Sequence, residues 1–204
     1  SMLKESVDRF LGKKKYGHMG WSKDINSVSS WEERAVKAGS YKKWNSQDNR
    51  VKINKKRDEI LGKNKTVRFD DKLTIPPSIK KYISPLVKAY PQTQFIMFFP
   101  PVSIVRQLED MDARRLGKKF KFERELVKLS LITPNLHIQS FNRDYITTNN
   151  MTNYKDSGHF NRNISLSFIE RISSNMEYTD SLESTLLSQR DFIRKIRTTP
   201  LLWE

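Results

Sequence analysis

The stretch Gln94-Phe-Ile-Met-Phe-Phe-Pro-Pro101 contains the clearest indication of fold in this chain. Its apolar side chains follow one another without a polar interruption, and two prolines close the run. A strand that is apolar on both faces is typical of a central strand in a parallel sheet covered by helices. Because parallel strands are joined by crossover connections, we expect helices on both sides of this run.

Apolar residues at helical spacing agree with that expectation. The spacing predicts helices over 78–89, 103–116 and 181–197, and around Phe122–Leu129 and Ile164–Ile172. Gly117 is expected to end the helix over 103–116. Residues 142–161 carry no such period and are predicted to form a polar loop before the helix around Ile164–Ile172.

Residues 135–141 alternate in polarity and predict a second strand. Leu136 and Ile138 would lie on one face of this strand. His137 and Gln139 would lie on the other face, so the strand is expected to be half exposed or at a sheet edge. Together with the helices, the two strands predict an α/β fold with parallel strands.

The composition limits the classes of function. The chain has 204 residues, enough for one domain with a sizeable core, and no cysteine, which excludes disulfides and thiolate metal sites. Its three histidines lie far apart and outside any cluster of carboxylates, so we predict neither a metal nor another cofactor. No window is apolar enough for a membrane span, and no signal peptide is recognisable.

The formal net charge of +15 fits either an ordinary solvated surface or a face that binds an anionic partner, such as an anionic polysaccharide, a nucleic acid or a membrane surface. No zinc-finger, RNA-recognition or helix-turn-helix signature separates these classes, so glycan and nucleic acid both stay open. Basic clusters occur in the first third of the chain and on predicted helical surface further on; they are Lys13–Lys15, Lys42-Lys43, Lys55–Arg57, Arg114-Arg115 and Lys118-Lys119.

The first third of the chain differs from the rest in composition. It is basic, rich in Asn, Ser and Lys, and only weakly periodic, so we divide the chain into an N-terminal region, 1–73, and an α/β portion, 74–204. One amphipathic helix is predicted over Ser29–Trp44. The tryptophans of this region would pack it onto the core or line a sugar site; they are Trp21, Trp31 and Trp44.

The loop Met151-Thr-Asn-Tyr-Lys-Asp-Ser-Gly-His-Phe160 contains a carboxylate three residues before an imidazole. In this arrangement Asp156 can orient one ring nitrogen of His159, and the other nitrogen can take a proton from a hydroxyl nucleophile. Gly158 would allow the tight turn that brings both groups to one site. The same tetrad also occurs in solvated surface loops, so its surroundings must decide between the two interpretations.

Three segments, taken in order, resemble the C-terminal half of SGNH-hydrolase-like (GDSL-type) proteins of bacterial cell surfaces. They are Tyr90-Pro-Gln-Thr-Gln-Phe-Ile-Met-Phe-Phe-Pro-Pro-Val-Ser103, Asn135-Leu-His-Ile-Gln-Ser-Phe141 and Asn153-Tyr-Lys-Asp-Ser-Gly-His-Phe160. Members of that group show a strand ending in Phe-Pro-Pro, then a later strand, then a loop of the form Asn-Tyr-x-Asp-x-x-His. The resemblance covers roughly residues 78–196 and implies a flavodoxin-like three-layer sandwich with a parallel sheet.

By this resemblance His159 is the general base and Asp156 its orienting partner. Tyr154, beside the pair, and Ser103, after the neighbouring strand, are predicted to contact the substrate. Related proteins handle acyl esters on exopolysaccharides. The resemblance therefore implies an SGNH-type esterase or acyltransferase that acts on acyl esters of a cell-surface polysaccharide, in the periplasm or at the cell surface.

The serine nucleophile of such enzymes is not recognisable in residues 1–73. It normally follows the first strand in a Gly-Asp-Ser or Gly-x-Ser turn, whereas Gly20-Trp21-Ser22 and Gly39-Ser40 lack a preceding apolar strand. The oxyanion donors are also unassigned. We expect the chain to begin downstream of the serine, with a sheet incomplete at its N-terminus and room for a membrane anchor upstream.

If the serine is missing, the chain by itself should have little esterase activity, because a base without a nucleophile has nothing to activate. It would then carry only the Asp156–His159 half of the site. The alternative interpretation is a non-catalytic module of the same fold that binds polyanions, either a glycan or a nucleic acid.

Overall fold

The computed structural model describes residues 37–69, 72–174 and 181–203. Several predictions lie outside the described residues: the basic run at 13–15, Trp21 and Trp31, and the first part of the helix expected over 29–44. The last part of that helix is present as a short helix, Ser40–Trp44.

The described elements form an α/β arrangement built around two parallel strands. In chain order they are α1 (Ser40–Trp44), α2 (Gln47–Gly62), a π-helix (Ile79–Ile83), α3 (Ser84–Ala89), β1 (Phe95–Phe99), α4 (Ile104–Asp112), α5 (Leu116–Ser130), β2 (Leu136–Ser140), α6 (Tyr145–Asn149), a 3-10 helix (Met151–Asn153), α7 (Arg162–Ser174) and α8 (Leu182–Thr198). None of the helices in the described residues is long and apolar enough to cross a membrane.

The two strands lie in parallel register, from Phe95 opposite Leu136 to Phe99 opposite Ser140. The predicted strands and their parallel direction are confirmed. The crossover between them consists of α4 and α5, as two parallel strands require. The carboxyl ends of both strands therefore meet at one edge, which is where ligands bind in open α/β sheets.

One face of the sheet packs against α3 and α5. On this face Met97 and Ile138 contact a buried cluster that includes Val87 of α3 and Leu126 of α5. On the opposite face, the ring of Phe98 lies 5.4 Å from that of Phe168 in α7. Helices therefore contact both faces of the strand pair, as expected for strands that are apolar on both sides.

The relative exposure of the two strands is the reverse of what their polarity indicates. β2, predicted to be half exposed or at a sheet edge, does lie at an edge of the described two-stranded sheet. Its His137 and Gln139 are nevertheless each only 8% exposed, whereas Phe98 of the apolar strand β1 is 44% exposed. The Nε2 atom of His137 lies 2.6 Å from Oε1 of Gln94, so its burial is compensated by a hydrogen bond. A polar side chain with a partner inside the protein does not mark a solvated face.

The helix predicted over 103–116 ends earlier than expected, at Asp112. Arg114 adopts a left-handed conformation with φ of 57°, and this conformation ends a helix. Gly117 lies near the beginning of α5, where a Cβ atom would be 2.6 Å from the carbonyl oxygen of Arg68. The glycine therefore permits a close backbone approach and does not act as a helix stop.

The helix predicted over 78–89 is present, but it starts as a π-helix. Pro85 at the beginning of α3 has no N–H, and its ring would clash with the carbonyl four residues earlier in a regular helix. The backbone N–H of Ser84 instead bonds to the oxygen of Ile79, five residues earlier. A single wide turn accommodates the proline without breaking the helix.

A second apolar cluster is formed by helices and the segments that join them. It joins α2, α4, α5 and α8 through Ile53, Leu108, Phe120 and Phe192.

The segment after β2, predicted as a polar loop, is not an open loop: it contains α6 and the 3-10 helix. Its polar side chains satisfy backbone groups, as where Nδ2 of Asn149 donates to the oxygen of Pro200 at 2.9 Å.

Candidate active site

The segment from Tyr154 to Phe160 forms a closed loop after the 3-10 helix. Tyr154 and Phe160 pair in an antiparallel bridge, and the N–H of Lys155 donates to the oxygen of His159 at 3.0 Å. The ring of Phe160 then packs edge-on against Phe168 of α7, with 5.6 Å between centroids. These contacts fix both ends of the loop, so its polar side chains are held in a defined geometry.

Asp156 and His159, the two predicted catalytic residues, contact each other in this loop. Nδ1 of His159 lies 2.8 Å from Oδ1 and 2.9 Å from Oδ2 of Asp156. The Oδ1 atom also accepts the backbone N–H groups of Gly158 at 2.9 Å and of His159 at 3.0 Å. The carboxylate is thus fixed by the backbone before it orients the imidazole.

The charge state of Asp156 follows from this network. Partial burial by itself raises the pKa of the carboxyl group, but hydrogen bonds from the Gly158 N–H and from His159 outweigh it and lower the pKa below its ordinary value. Asp156 is therefore ionised at neutral pH and can only accept hydrogen bonds. Nδ1 of a neutral His159 must then carry the proton, which makes Nε2 the basic atom of the ring.

Both side chains reach the protein surface. That of His159 is 65% exposed and that of Asp156 46% exposed. Gly158, which we expected to permit a tight turn, does not have a positive φ, and an added Cβ would meet only Asp156 Oδ1 at 3.8 Å. Its contribution is the N–H that it donates to the carboxylate.

Tyr154 and Ser103, the predicted substrate contacts, are both fully buried. The hydroxyl of Tyr154 donates to the oxygen of Pro101 at 3.0 Å, and that of Ser103 donates to the oxygen of Ser157 at 2.6 Å. A buried side chain cannot meet a substrate at the surface. The observed role of both residues is to attach the Asp156–His159 loop to the segment that follows β1.

Burial also keeps the Tyr154 hydroxyl in its donor form. Its pKa is raised well above the ordinary value, mainly by desolvation and further by the charge of Asp144. The phenol therefore stays protonated at neutral pH and continues to donate to Pro101. The hydrogen bonds that join Tyr154 to Pro101 and Ser103 to Ser157 place the loop at the carboxyl end of β1.

A cavity of about 460 Å³ lies at the same end of β1 and is mainly apolar. Val102, which directly precedes Ser103, forms part of its wall, so cavity and loop are adjacent. Its other lining residues come from the end of β1, from α4 and α5 and from the turn after β2; they include Phe99, Pro100, Phe120, Phe122, Gln107 and Asn142. A cavity of this size and character suits a small apolar ligand group.

Gln107 and Asn142, which the sequence analysis did not single out, connect the segment after β1 to the turn after β2. Nε2 of Gln107 donates to the oxygens of Val102 and Asn142, at 3.2 and 2.9 Å. Oδ1 of Asn142 accepts the N–H of Val102 at 3.2 Å. Gln107 lies on the buried side of an amphipathic helix, and a polar residue at such a position is the signal that would have identified it.

In the described residues, neither a metal cluster nor the hydroxyl of Ser103 adds a catalytic group beside the loop. Within 37–69, 72–174 and 181–203, no three His, Asp or Glu side chains are grouped so as to hold a metal ion. Ser103 is close to the loop, but its hydroxyl is buried and already donates to a carbonyl, so it does not serve as nucleophile.

Comparison with protein-family models, curated proteins and solved structures gave no match.

Proposed function

We propose that this protein is an SGNH-type esterase or acyltransferase in which Asp156 and His159 form the acid–base pair. The observation that supports it best is the contact between Nδ1 of His159 and the Asp156 carboxylate, because it fixes the tautomer a general base needs. The partner is an acylated anionic polysaccharide of the cell surface, and the proposed location is outside the cytoplasm.

In the proposed reaction, Nε2 of His159 takes the proton of a serine hydroxyl while that oxygen attacks the ester carbonyl. Asp156 stabilises the imidazolium that forms. The imidazolium then gives its proton to the departing sugar hydroxyl, which leaves an acyl-serine. Water or a second hydroxyl, deprotonated by the same nitrogen, attacks the acyl-serine and restores the enzyme. The serine is assigned to a part of the protein other than the described residues.

We also propose that the two strands belong to a larger flavodoxin-like three-layer sandwich. Support comes from the helices that contact both faces of β1, and from the exposure of Phe98 in an otherwise apolar strand. Parallel sheets are normally covered on both faces and contain more than two strands. The apolar cavity beside the loop is proposed to receive the acyl group of the substrate.

Turnover of nitrophenyl acetate by the intact natural protein tests the proposal. His159→Ala is expected to lower kcat by at least about a thousandfold, since removal of a triad histidine removes the general base. His137→Gln is the matched control, because His137 is buried in β2 and bonds to Gln94. Equal turnover in His159→Ala and the natural protein would reject the proposed role. No turnover in any form would favour the non-catalytic polyanion-binding alternative.

A further inference from the structure

A second cavity, of about 660 Å³, lies between the segment that follows α2 and the beginning of α5. We call it the cationic cavity, because half of its lining residues are basic: Lys63, Lys65, Arg68, Arg114, Lys118 and Lys121. Among the described residues, neither an acidic side chain nor an aromatic ring lines it. The sequence shows these residues as three separate groups, and the fold brings them to one site.

The cations of this cavity differ in whether they form ion pairs within the described part of the chain. Lys63 and Lys65 bind Asp112, with Nζ–Oδ distances of 3.0 and 2.6 Å. In contrast, Arg68, Arg114 and Lys118 are exposed and form no ion pair with any residue that the structure describes. Their charges are therefore concentrated on a concave surface, and no acidic side chain is among the described residues that line it.

The walls of the cavity are held by backbone contacts between its own lining residues and by contacts with neighbouring side chains. The carbonyl of Arg68 approaches the beginning of α5 so closely that only glycine fits at Gly117. The ring of Phe69 stacks on Phe120 at 6.1 Å, and Arg197 donates to the oxygen of Lys65. A site that is fixed before it binds loses less entropy when a ligand arrives.

The lining residues favour an anion that carries a carboxylate or a phosphate group. Ammonium and guanidinium groups recognise carboxylates and phosphates, and Asn64 and Thr66 add neutral hydrogen-bonding groups. Single-stranded nucleic acids are usually held by stacking on aromatic rings, and the described lining has none. A concave cavity of this volume fits one or two sugar units better than a duplex backbone.

We propose that the cationic cavity binds an acidic sugar unit of a glycan through its carboxylate or phosphate group. This proposal rests on the glycan substrate proposed above, and it names the acidic sugar as the part of that glycan that the protein recognises. The cavity shares Leu116 and Lys118 with the apolar cavity beside the Asp156–His159 loop. An acidic sugar in the first cavity would thus lie next to an acyl group in the second.

Calorimetric titration of the protein tests this assignment, with trigalacturonate and mannose phosphate as probes and neutral maltotriose as the reference sugar. The cavity variant combines Arg68→Gln, Arg114→Gly and Lys118→Gln. The matched control combines Lys80→Gln, Lys81→Gln and Lys88→Gln, three exposed lysines near α3, and removes the same charge. At least one acidic probe should bind, maltotriose should not, and only the cavity variant should weaken binding, by about a hundredfold or more.

Three results would overturn the assignment. The first is no binding of either acidic probe to the natural protein. The second is an equal loss of affinity in both variants, which would indicate a diffuse charge effect. The third is tighter binding of oligouridylate than of the acidic sugars through the same three residues. The His159→Ala variant should bind the probes with the affinity of the natural protein. A failed ester assay would therefore argue against the proposed catalytic role, whereas a failed binding assay would argue against the cationic cavity as a sugar site.

Discussion

Two charged pairs flank the carboxyl end of the sheet, and they differ in almost every physical respect. Asp156 and His159 are three residues apart, largely exposed, and held by backbone groups of their own loop. Glu123 and Arg143 are twenty residues apart, and their side chains are only 5% and 7% exposed. The buried pair connects α5 to the turn after β2, whereas both members of the exposed pair belong to one loop.

This difference separates groups that hold the fold from groups that are available for chemistry. A buried carboxylate without its partner is costly, so Glu123 and Arg143 are constrained by stability. An exposed pair contributes little to stability. The Asp156 carboxylate holds the backbone of its own loop, and its contact with His159 has in addition the geometry that the proposed acid–base role requires.

The largest expected effect on stability comes from the buried pair. Glu123→Ala removes the carboxylate that accepts from Arg143 and from Nε2 of Gln189. We expect it to lower the free energy of unfolding by about 3–5 kcal/mol, measured by urea denaturation. The exposed Glu59→Ala is the control and should change it by less than about 0.5 kcal/mol. Similar losses of unfolding free energy in both variants would mean that the buried Glu123 carboxylate contributes no more to stability than an exposed one.

A smaller effect is expected where the Asp156–His159 loop is attached to the segment after β1. Tyr154→Phe removes only the buried hydroxyl that donates to Pro101. We expect a loss of about 1–2 kcal/mol in unfolding free energy, together with faster amide exchange in the loop. Tyr90→Phe, at a residue that is 52% exposed, serves as the control. An unchanged exchange rate in Tyr154→Phe would show that this bond does not hold the loop.

Arg114→Gly should have a still smaller effect, of opposite sign. Arg114 is in a left-handed conformation with φ of 57°, which glycine adopts without strain. We expect unfolding free energy to stay unchanged or to rise by up to about 1 kcal/mol, while affinity for acidic sugars falls. A clear loss of stability would mean that the arginine side chain is needed for the fold, as Glu123 is.

The smallest expected effect concerns pH. The folded pKa of Asp156 is lowered, so its contribution to stability is fully present above the ordinary value of 3.8 and is lost as pH falls through the folded value. The backbone amide hydrogens of the loop should therefore lose protection against exchange only below about pH 4. In Asp156→Asn the loop should exchange faster throughout, without this acid transition. An acid transition that persists in the variant would assign it to another group.

The sequence predicted the parallel strands because β1 is apolar on both faces and the intervening segments have helical period. It also predicted the Asp156–His159 contact, because a spacing of three residues constrains the geometry locally. It did not predict the burial of His137 and Gln139, whose partners are determined by tertiary contacts. The cationic cavity was equally invisible, since its residues come together only when the segment after α2 meets α5.

The central claim is that Asp156 and His159 activate a serine hydroxyl, and covalent labelling tests it most directly. The intact natural protein would be treated with a fluorophosphonate, and the modified residue identified by mass spectrometry. We predict rapid modification of one serine, slowed by at least about a thousandfold in His159→Ala and unchanged in His137→Gln. Modification of His159→Ala at the rate of the natural protein would contradict the claim.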